Sequence, residues 1–303
     1  MTHSHTRPEF WPLDDVAALP PEETILWVTP SVAARASERL PFAAWSLGDP
    51  LPAGVRTLVV AGGGTMLDEA KRFVHDDAPQ LRLVAIPTIW GSGAEACPVV
   101  VLNRGNSKEI RIGDDYLPAA RAIWSELAST VPPQLARAAC GDAWAHALEG
   151  FLSPLATDEL RNEIAGIIRD MLVTGVGNDP RWFELSARAG AAQARSSVGL
   201  VHGIAHTLEP ASGFGHARLC ATYLRPVFAF DRRFEKVDAL LTKHGLDPES
   251  VSAATEQLFD ADDYRKTLPA LEKLWSNVLR DRNTRTNATL VRASDLPFFV
   301  GYA

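Results

Sequence analysis

The chain has 303 residues, of which 46% are hydrophobic and 22% are charged, and its formal net charge is −7. This length suits one large or two medium domains, and the apolar content excludes a largely disordered chain. The negative charge, without any long run of lysine or arginine, argues against nucleic acid as a partner.

Strands and helices are predicted to alternate in the first 120 or so residues. Apolar runs predict strands at Ile25–Thr29, Ala44–Leu47, Thr57–Ala61 and Leu81–Pro87, and helical patterns follow at 31–40 and 67–76. This βαβ order indicates a parallel sheet covered on both faces.

Helical patterns dominate from about Pro132 onward. Residues 184–208 predict a helix, a short serine break and a second helix, and 247–281 also reads as helical. We therefore expect an α/β domain over residues 1–130 and an all-helical domain over residues 131–303.

Three glycines separate the strand at 57–61 from the helix that follows. Gly62, Gly63 and Gly64 precede Thr65, which stands at the expected N-cap, with Asp68 three residues later in a capping-box spacing. Glycines allow a phosphate close to the backbone, and a helix N-terminus favours an anion. We interpret the segment as a phosphate-binding loop, the alternative being a tight turn that needs glycine for geometry alone; the GxGxxG fingerprint is absent.

A second loop follows the strand at 81–87. In IPTIWGSGAEACP, Thr88 and Ser92 offer hydroxyls at the carboxyl edge of the sheet, where open α/β sheets bind ligands. Alone, this glycine- and serine-containing pattern is weak.

Two later segments carry acidic and histidine side chains at helical spacing. In GDAWAHALEG, Asp142 and His146 share one helical face; in GLVHGIAHTLEP, His202 and His206 do so, and His216 follows a glycine-rich turn. Each pair alone is compatible with a surface ion pair or a buried packing histidine. One aspartate with three of these histidines would make a nitrogen and oxygen site for Fe(II), Zn(II) or Mn(II).

Cysteine spacing and the length of apolar runs indicate in which cellular compartment the protein works. Cys97, Cys140 and Cys220 lie far apart without CxxC spacing, which argues against a disulfide framework or a thiolate zinc site. The N-terminal sequence lacks an apolar signal core, and no window has the roughly 18 apolar residues of a membrane span. We expect a cytoplasmic protein without membrane contact.

The motifs together resemble a known family. GGGTxxDxAK, PTxxGSGAE, GDAxxHAxEG and VHGIAH with a following GHA, in this order over residues 25–231, are similar to the iron-containing (group III) alcohol dehydrogenases, relatives of dehydroquinate synthase. The resemblance implies a Rossmann-like nucleotide domain, a helical metal domain and a homodimer that uses Fe(II) or Zn(II) with NAD or NADP. It assigns metal ligation to Asp142, His146, His202 and His216, catalysis beside the nicotinamide to His206, and cofactor binding to Gly62, Gly63, Gly64, Thr65, Thr88, Ser92 and Lys108.

Departures from the family pattern concern cofactor and substrate. Bulky Ile89 and Trp90 enter the second loop, and Glu209 replaces a family glycine. Arg195 and Arg218 are candidates for a carboxylate or phosphonate clamp, the alternative being solvent exposure or pairing with Glu209. Glu209 is alternatively a partner for a substrate amine.

These departures favour a specialised biosynthetic oxidoreductase acting on a polar small molecule or modified peptide, such as a β-hydroxy acid or threonine-like unit that loses carbon dioxide after oxidation. Pro30 follows the first strand where NAD-preferring members often carry an acidic residue, so NADP remains open. The short chain also leaves room for a partner subunit to complete the cofactor pocket. The competing functions are a dehydroquinate synthase-like lyase with transient NAD reduction and a non-catalytic, partner-binding member.

Overall fold

The structure, a computed structural model, describes residues 7–105 and 107–302. Its strands are β1 Glu9–Phe10, β2 Thr24–Val28, β3 Ala43–Ala44, β4 Thr57–Gly62, β5 Arg82–Pro87, β6 Val99–Arg104, β7 Ser107–Ile112 and β8 Ala120–Arg121. Its α-helices are α1 Leu13–Ala17, α2 Ala33–Arg39, α3 Gly64–Asp76, α4 Pro133–Leu152, α5 Asp158–Thr174, α6 Arg181–Gln193, α7 Leu200–Ser212, α8 His216–Asp231, α9 Glu235–Lys243, α10 Pro248–Leu258, α11 Ala261–Val278 and α12 Leu296–Val300.

Six strands form one sheet in the order β1-β8-β5-β4-β2-β3, and every neighbouring pair is parallel. The predicted parallel sheet and the α/β-plus-helical fold class are thereby confirmed. Gly62 at the end of β4 lies opposite Pro87 at the end of β5. The two loops singled out from the sequence therefore leave the same edge of the sheet side by side.

Alternate residues of β4 face two different cores. Leu58 and Val60 join the small core beneath α3, whereas Val59 and Ala61 belong to the larger core that continues into the helices. This alternation follows from the two-residue period of a strand. Because the larger core is continuous, the edge of the sheet is packed directly against the helical part.

Helix α4 lies at the centre of the helical part and contacts α5, α6 and α8. Nearly all its residues from Ala136 to Leu152 are buried, as expected for a helix that is apolar or small on every side. The last parallel strand ends at Arg121 and α4 begins at Pro133. The domain boundary predicted at residues 130 and 131 falls in this interval.

One predicted strand needs correction, and one hairpin was not predicted. The strand predicted at Ala44–Leu47 is limited to Ala43–Ala44, since Trp45 instead packs its ring against Trp27 and Phe73, at centroid distances of 6.0 and 5.1 Å. Strands β6 and β7 form an antiparallel hairpin that the sequence reading did not include. Among the helices within the described ranges, none combines the length and hydropathy that a membrane crossing requires.

Candidate functional site

Helices α4 and α8 approach unusually closely where the candidate site begins. A Cβ added to Gly141 would lie 2.4 Å from Cβ of Ala221 and 2.6 Å from its Cα, distances that real side chains do not adopt. Glycine at this position therefore lets the two helix backbones meet. As a result, Asp142 is brought against the first turns of α8, which carry His216 and Cys220.

A carboxylate, two imidazoles and a thiol converge at this contact. Oδ1 of Asp142 lies 3.8 Å from Nε2 of His202 and 3.7 Å from Nε2 of His216. Sγ of Cys220 lies 3.6 Å from the same His216 nitrogen. One donor atom from each of these four residues lies within 4.8 Å of all the others.

Two of these donor atoms are buried without a partner. Asp142 and His202 are each 3% exposed, and neither Oδ1 of Asp142 nor Nε2 of His202 has a hydrogen-bond partner among the described residues. Leaving such atoms unpaired costs roughly 1–3 kcal/mol each. A divalent cation would satisfy both atoms, and carboxylate, imidazole and thiol are all established ligands of such ions. The residues present therefore fit a metal ion.

Hydrogen bonds fix the orientation of two of the histidines. Nδ1 of His202 lies 2.6 Å from Oε2 of Glu149, and Nδ1 of His146 lies 3.2 Å from the carbonyl oxygen of Gly91. Since both partners are acceptors, each Nδ1 carries the proton and each Nε2 keeps its lone pair. Burial also lowers the pKa of His202 to about 3, so its imidazole is neutral.

Glu149 is a functional residue that the sequence reading missed. Its other carboxylate oxygen accepts a 2.5 Å bond from the amide of Val201, and burial raises its pKa to about 7. The available signal was its position one turn after His146, in the His-x-x-Glu part of GDAWAHALEG. Glu149 thus connects α4 with the start of α7 and fixes the orientation of the His202 ring.

The fourth predicted ligand, His146, lies beside the group of four. Its ring centroid is 4.5 Å from that of His202, and its Nδ1 is 4.0 Å from Oδ1 of Asp142. Cys220 instead completes the set of mutually close donor atoms. Cys220 lies one helical turn from His216 on α8, a proximity that does not depend on CxxC spacing.

His206 stacks on His216, with ring centroids 5.2 Å apart, and Nδ2 of Asn283 donates to its Nδ1 at 3.1 Å. Burial and neighbouring positive charges hold the pKa of His206 well below its usual value. His206 is therefore neutral at physiological pH. Because Nδ1 accepts from Asn283, the proton of the neutral ring lies on Nε2, which can donate a hydrogen bond.

The glycine loop begins α3 differently from the capping arrangement predicted. Gly63 is the N-cap and α3 starts at Gly64, so Thr65 is already inside the first turn. A Cβ on Gly64 would lie 2.5 Å from Oγ of Ser92, so this glycine is required where the two loops meet. Asp68 does not cap the helix; its carboxylate pairs with Lys71 at 2.9 Å.

Lys71 anchors the chain that follows the second loop. It is 2% exposed, and its ammonium donates to the carbonyl oxygens of Ala94, Cys97 and Val99. A buried ammonium needs such compensation. This lysine, the last residue of the GGGTxxDxAK motif, therefore has a structural role that the sequence reading did not assign.

The second loop packs against the end of β4 and against helix α6. The amide of Thr88 donates to the carbonyl of Gly62 at 3.0 Å, and the amide of Gly91 donates to Oγ of Ser186 at 2.8 Å. Gly91 has φ of +117°, which favours glycine. Trp90 was expected to fill space in the cofactor loop. The residue is instead 3% exposed, and its ring packs edge-on against Phe183. Most of its bulk is therefore in the core.

One cleft of about 770 Å³ joins the loops to the histidine cluster. Its lining includes Gly64, Thr65, Ser92 and Lys108 towards the loops, and Asp142, His146, His202, His206 and His216 towards the cluster. The four predicted metal residues thus share one cavity with Gly64, Thr65, Ser92 and Lys108, whereas the predicted cofactor residues Gly62, Gly63 and Thr88 are not part of its lining. Such a cavity suits a ligand that extends from the helix N-terminus of α3 to the buried cluster.

Comparison with known proteins agrees with this geometry. No family model matches the sequence. The chain is 28% identical over 233 residues to a probable alcohol dehydrogenase, EutG, of Salmonella typhimurium, an alignment covering 66% of this chain and 59% of the relative. An iron-containing alcohol dehydrogenase from Corynebacterium glutamicum has a similar structure, with a TM-score of 0.73 at 19% identity over 99% of this chain and 95% of that one.

The chain is thus similar in sequence to alcohol dehydrogenases and in fold to an iron-containing one. It spans about 50–60% of the length of the first curated relatives it matches. A sulfoacetaldehyde reductase from Bifidobacterium kashiwanohense, solved with NAD⁺, also shares the fold, with a TM-score of 0.72 at 19% identity over 100% of this chain and 98% of that one.

Charged residues that depart from the family pattern line the cleft but are already paired. Arg195 pairs with Glu163 at 2.6 Å, and Arg218 holds both oxygens of Asp263 at 2.6 Å. These pairings argue against the predicted arginine clamp. Glu209 forms an ion pair with Lys108. This pair connects β7 of the hairpin to α7, and Glu209 also lies 3.9 Å from Nδ1 of His216.

Proposed function

We propose that this chain is a metal-dependent, NAD(P)-linked alcohol dehydrogenase or carbonyl reductase with a polar substrate. The observation that carries the proposal is the single cleft in which the unpartnered atoms of Asp142 and His202 lie at one end and the start of α3 at the other. The names of the relatives support the class of reaction, since EutG is called a probable alcohol dehydrogenase.

In this proposal Asp142, His146, His202 and His216 hold one Fe(II) or Zn(II). A divalent ion at this position supplies a Lewis acid for a hydroxyl or carbonyl oxygen of the substrate. Glu149 keeps the Nδ1 proton of His202 in place and thereby leaves Nε2 free. Water takes up the proton that the substrate hydroxyl loses, and His206, next to His216, would donate a hydrogen bond from Nε2 to the substrate oxygen.

The cofactor site is proposed at the start of α3. Gly62, Gly63, Gly64 and Thr65 approach the pyrophosphate, where free helix amides and the helix dipole favour an anion. Thr88 and Ser92 serve the nicotinamide end, and Lys108 the ribose. NAD or NADP supplies the hydride chemistry, and the NAD⁺ bound to the related sulfoacetaldehyde reductase supports this assignment.

The substrate is proposed to be a polar alcohol in a biosynthetic reaction, such as a β-hydroxy acid or a threonine-like unit of a modified peptide. The carboxylate of Glu209, on the cleft wall 3.9 Å from Nδ1 of His216, supports a polar substrate. Oxidation moves a hydride to NAD(P)⁺ and releases one proton. The resulting β-keto acid then loses carbon dioxide without a further oxidant.

We also propose a cytoplasmic homodimer, in which a partner subunit completes the cofactor pocket. All three cysteines are free and buried, as is typical of a reducing compartment. The resemblance to the family supports the dimer. Light scattering on the purified protein tests it, and a monomer that binds cofactor would contradict it.

A turnover assay tests the function. The protein is reconstituted anaerobically with Fe(II) or Zn(II), and absorbance of NADH or NADPH is followed with simple alcohols, polyols and β-hydroxy acids. We expect metal-dependent reduction of the cofactor with wild type and none with Asp142→Asn. Product formed with only catalytic NAD would indicate the synthase-like alternative. Binding of ion and cofactor without turnover of any substrate class would indicate a non-catalytic member.

A further inference from the structure

Cys220 differs from the other two cysteines in what its sulfur faces. Cys140 accepts the indole N–H of Trp90 at 3.3 Å, and Cys97 lies 3.7 Å from the amide nitrogen of Gln193. Both therefore have ordinary partners in the core. Cys220 is fully buried, and its sulfur instead lies against Nε2 of His216, within the group that includes the unpartnered atoms of Asp142 and His202.

We propose that the sulfur of Cys220 is a ligand of the ion that Asp142, His202 and His216 hold. This inference rests on the metal site of the proposed function and adds a ligand that neither the family resemblance nor the sequence pattern assigns. On binding, the thiol gives its proton to solvent and the sulfur donates as a thiolate.

The spacing of the four donor atoms supports this assignment. Zinc binds thiolate at about 2.3 Å and imidazole or carboxylate at about 2.0–2.2 Å, so tetrahedral ligand atoms stand roughly 3.3–3.7 Å apart. The observed separations are 3.6 Å for Cys220 to His216, 3.7 Å for His216 to Asp142 and 3.8 Å for His202 to Asp142. These three of the six separations are close to the spacing of a four-coordinate site, and all six lie within 4.8 Å.

Helix geometry explains how the sulfur reaches the site. Cys220 follows His216 by four residues on α8, so both side chains occupy one face. The contact at Gly141 brings that face against Asp142. His146 lies at the edge of the group, and its Nδ1 donates to the carbonyl oxygen of Gly91 at 3.2 Å.

A thiolate ligand affects which metal ion the site binds most tightly. Soft sulfur ligands favour zinc over the harder Mn(II) and Mg(II), and the general affinity order of divalent ions places Zn(II) above Fe(II). We therefore expect the wild-type protein to bind Zn(II) more tightly than Fe(II).

Cobalt(II) spectroscopy on the full chain tests the ligand directly. Anaerobic titration of ion-free protein with cobalt chloride is expected to give a near-ultraviolet thiolate-to-cobalt charge-transfer band that saturates at one ion per chain. Cys220→Ser should bind cobalt without this band. Cys140→Ser, a matched change of a buried cysteine on α4, should keep it.

X-ray absorption of the zinc-loaded wild type gives an answer that does not depend on a variant folding. We expect one sulfur scatterer at about 2.3 Å. Bound cobalt without the band, or a zinc shell of nitrogen and oxygen alone, overturns the role of Cys220 and leaves the proposed function standing. Failure to bind either ion overturns both.

Discussion

Replacing Glu149 by glutamine tests how His202 is prepared for a metal ion. The carboxylate accepts two bonds, one from Nδ1 of His202 at 2.6 Å and one from the amide of Val201 at 2.5 Å. A glutamine has a single oxygen, so its amide group must face one of these donors. If it faces His202, it donates to Nδ1 and moves the ring proton to Nε2, which then has no lone pair for an ion.

The size of the effect follows from the bond that is lost. A hydrogen bond to a charged group is worth about 1.5–3 kcal/mol, and every 1.4 kcal/mol changes a dissociation constant about tenfold. We therefore expect Glu149→Gln to weaken Zn(II) binding about 10- to 100-fold, the range found when partners of metal-binding histidines are removed. The ion-free variant should remain folded, because burial already raises the pKa of Glu149 to about 7 and a neutral group is tolerated there.

Competition titration against a chromophoric zinc chelator gives the dissociation constant, and thermal unfolding of the ion-free protein reports on the fold. Glu249→Gln is the matched control, since Glu249 lies in the first turn of α10 and pairs with Arg232 at 78% side-chain exposure. Equal zinc affinity of Glu149→Gln and wild type, within twofold, would refute the reasoning.

Three further predictions concern pH, packing and charge. Burial raises the pKa of Asp231 from 3.8 to about 7. The contribution of Asp231 to the free energy of unfolding is therefore complete below pH 4 and is lost as the pH rises through 7. In urea unfolding, Asp231→Asn should remove up to about 4 kcal/mol of this pH dependence. Gly64→Ala should lower the free energy of unfolding by about 1–3 kcal/mol and weaken NADH binding, because its Cβ would meet Ser92. Glu209→Gln frees Lys108 and should tighten binding of NADPH about fivefold, measured by fluorescence at low salt.

Each of these predictions has a control. Asp238→Asn, on the surface of α9, should keep the wild-type pH profile, and an unchanged profile in Asp231→Asn would contradict the assignment. Gly63→Ala should keep the wild-type free energy of unfolding, since its Cβ would meet only Ile89 at 3.6 Å; equal losses of stability in both glycine variants would argue against the contact with Ser92. Unchanged or weaker NADPH binding in Glu209→Gln would show that the ion pair does not compete with the cofactor.

Local patterns in the sequence were sufficient for four strands of the sheet, β2 to β5, and for part of the site; the short edge strand β1 and strand β8 were not predicted. Short apolar strands between helices predict a parallel sheet because the pattern is repeated and each strand is buried on both faces. Helical spacing likewise places Asp142 and His146 together, and His202 and His206 together. These are properties of neighbouring residues, and no knowledge of the tertiary packing is needed to derive them.

Properties that depend on contacts between distant segments could not be derived. The thiol of Cys220 joins the group because α4 and α8 meet where Gly141 contacts Ala221. These two residues are 80 positions apart in the chain. The arginine clamp was an open possibility in the sequence because the partner of Arg218, Asp263, lies on a distant helix. Ion pairs with carboxylates from other helices thus determine which positive side chains in the cleft can bind a ligand.

The most direct test of the central claim is elemental analysis of protein purified without a chelator or a histidine tag. We predict about one divalent ion per chain in wild type and in Asp262→Ala, an exposed position on α11, and loss of the ion in Asp142→Ala and His216→Ala. Absence of an ion from wild type, even after anaerobic reconstitution, would contradict the account.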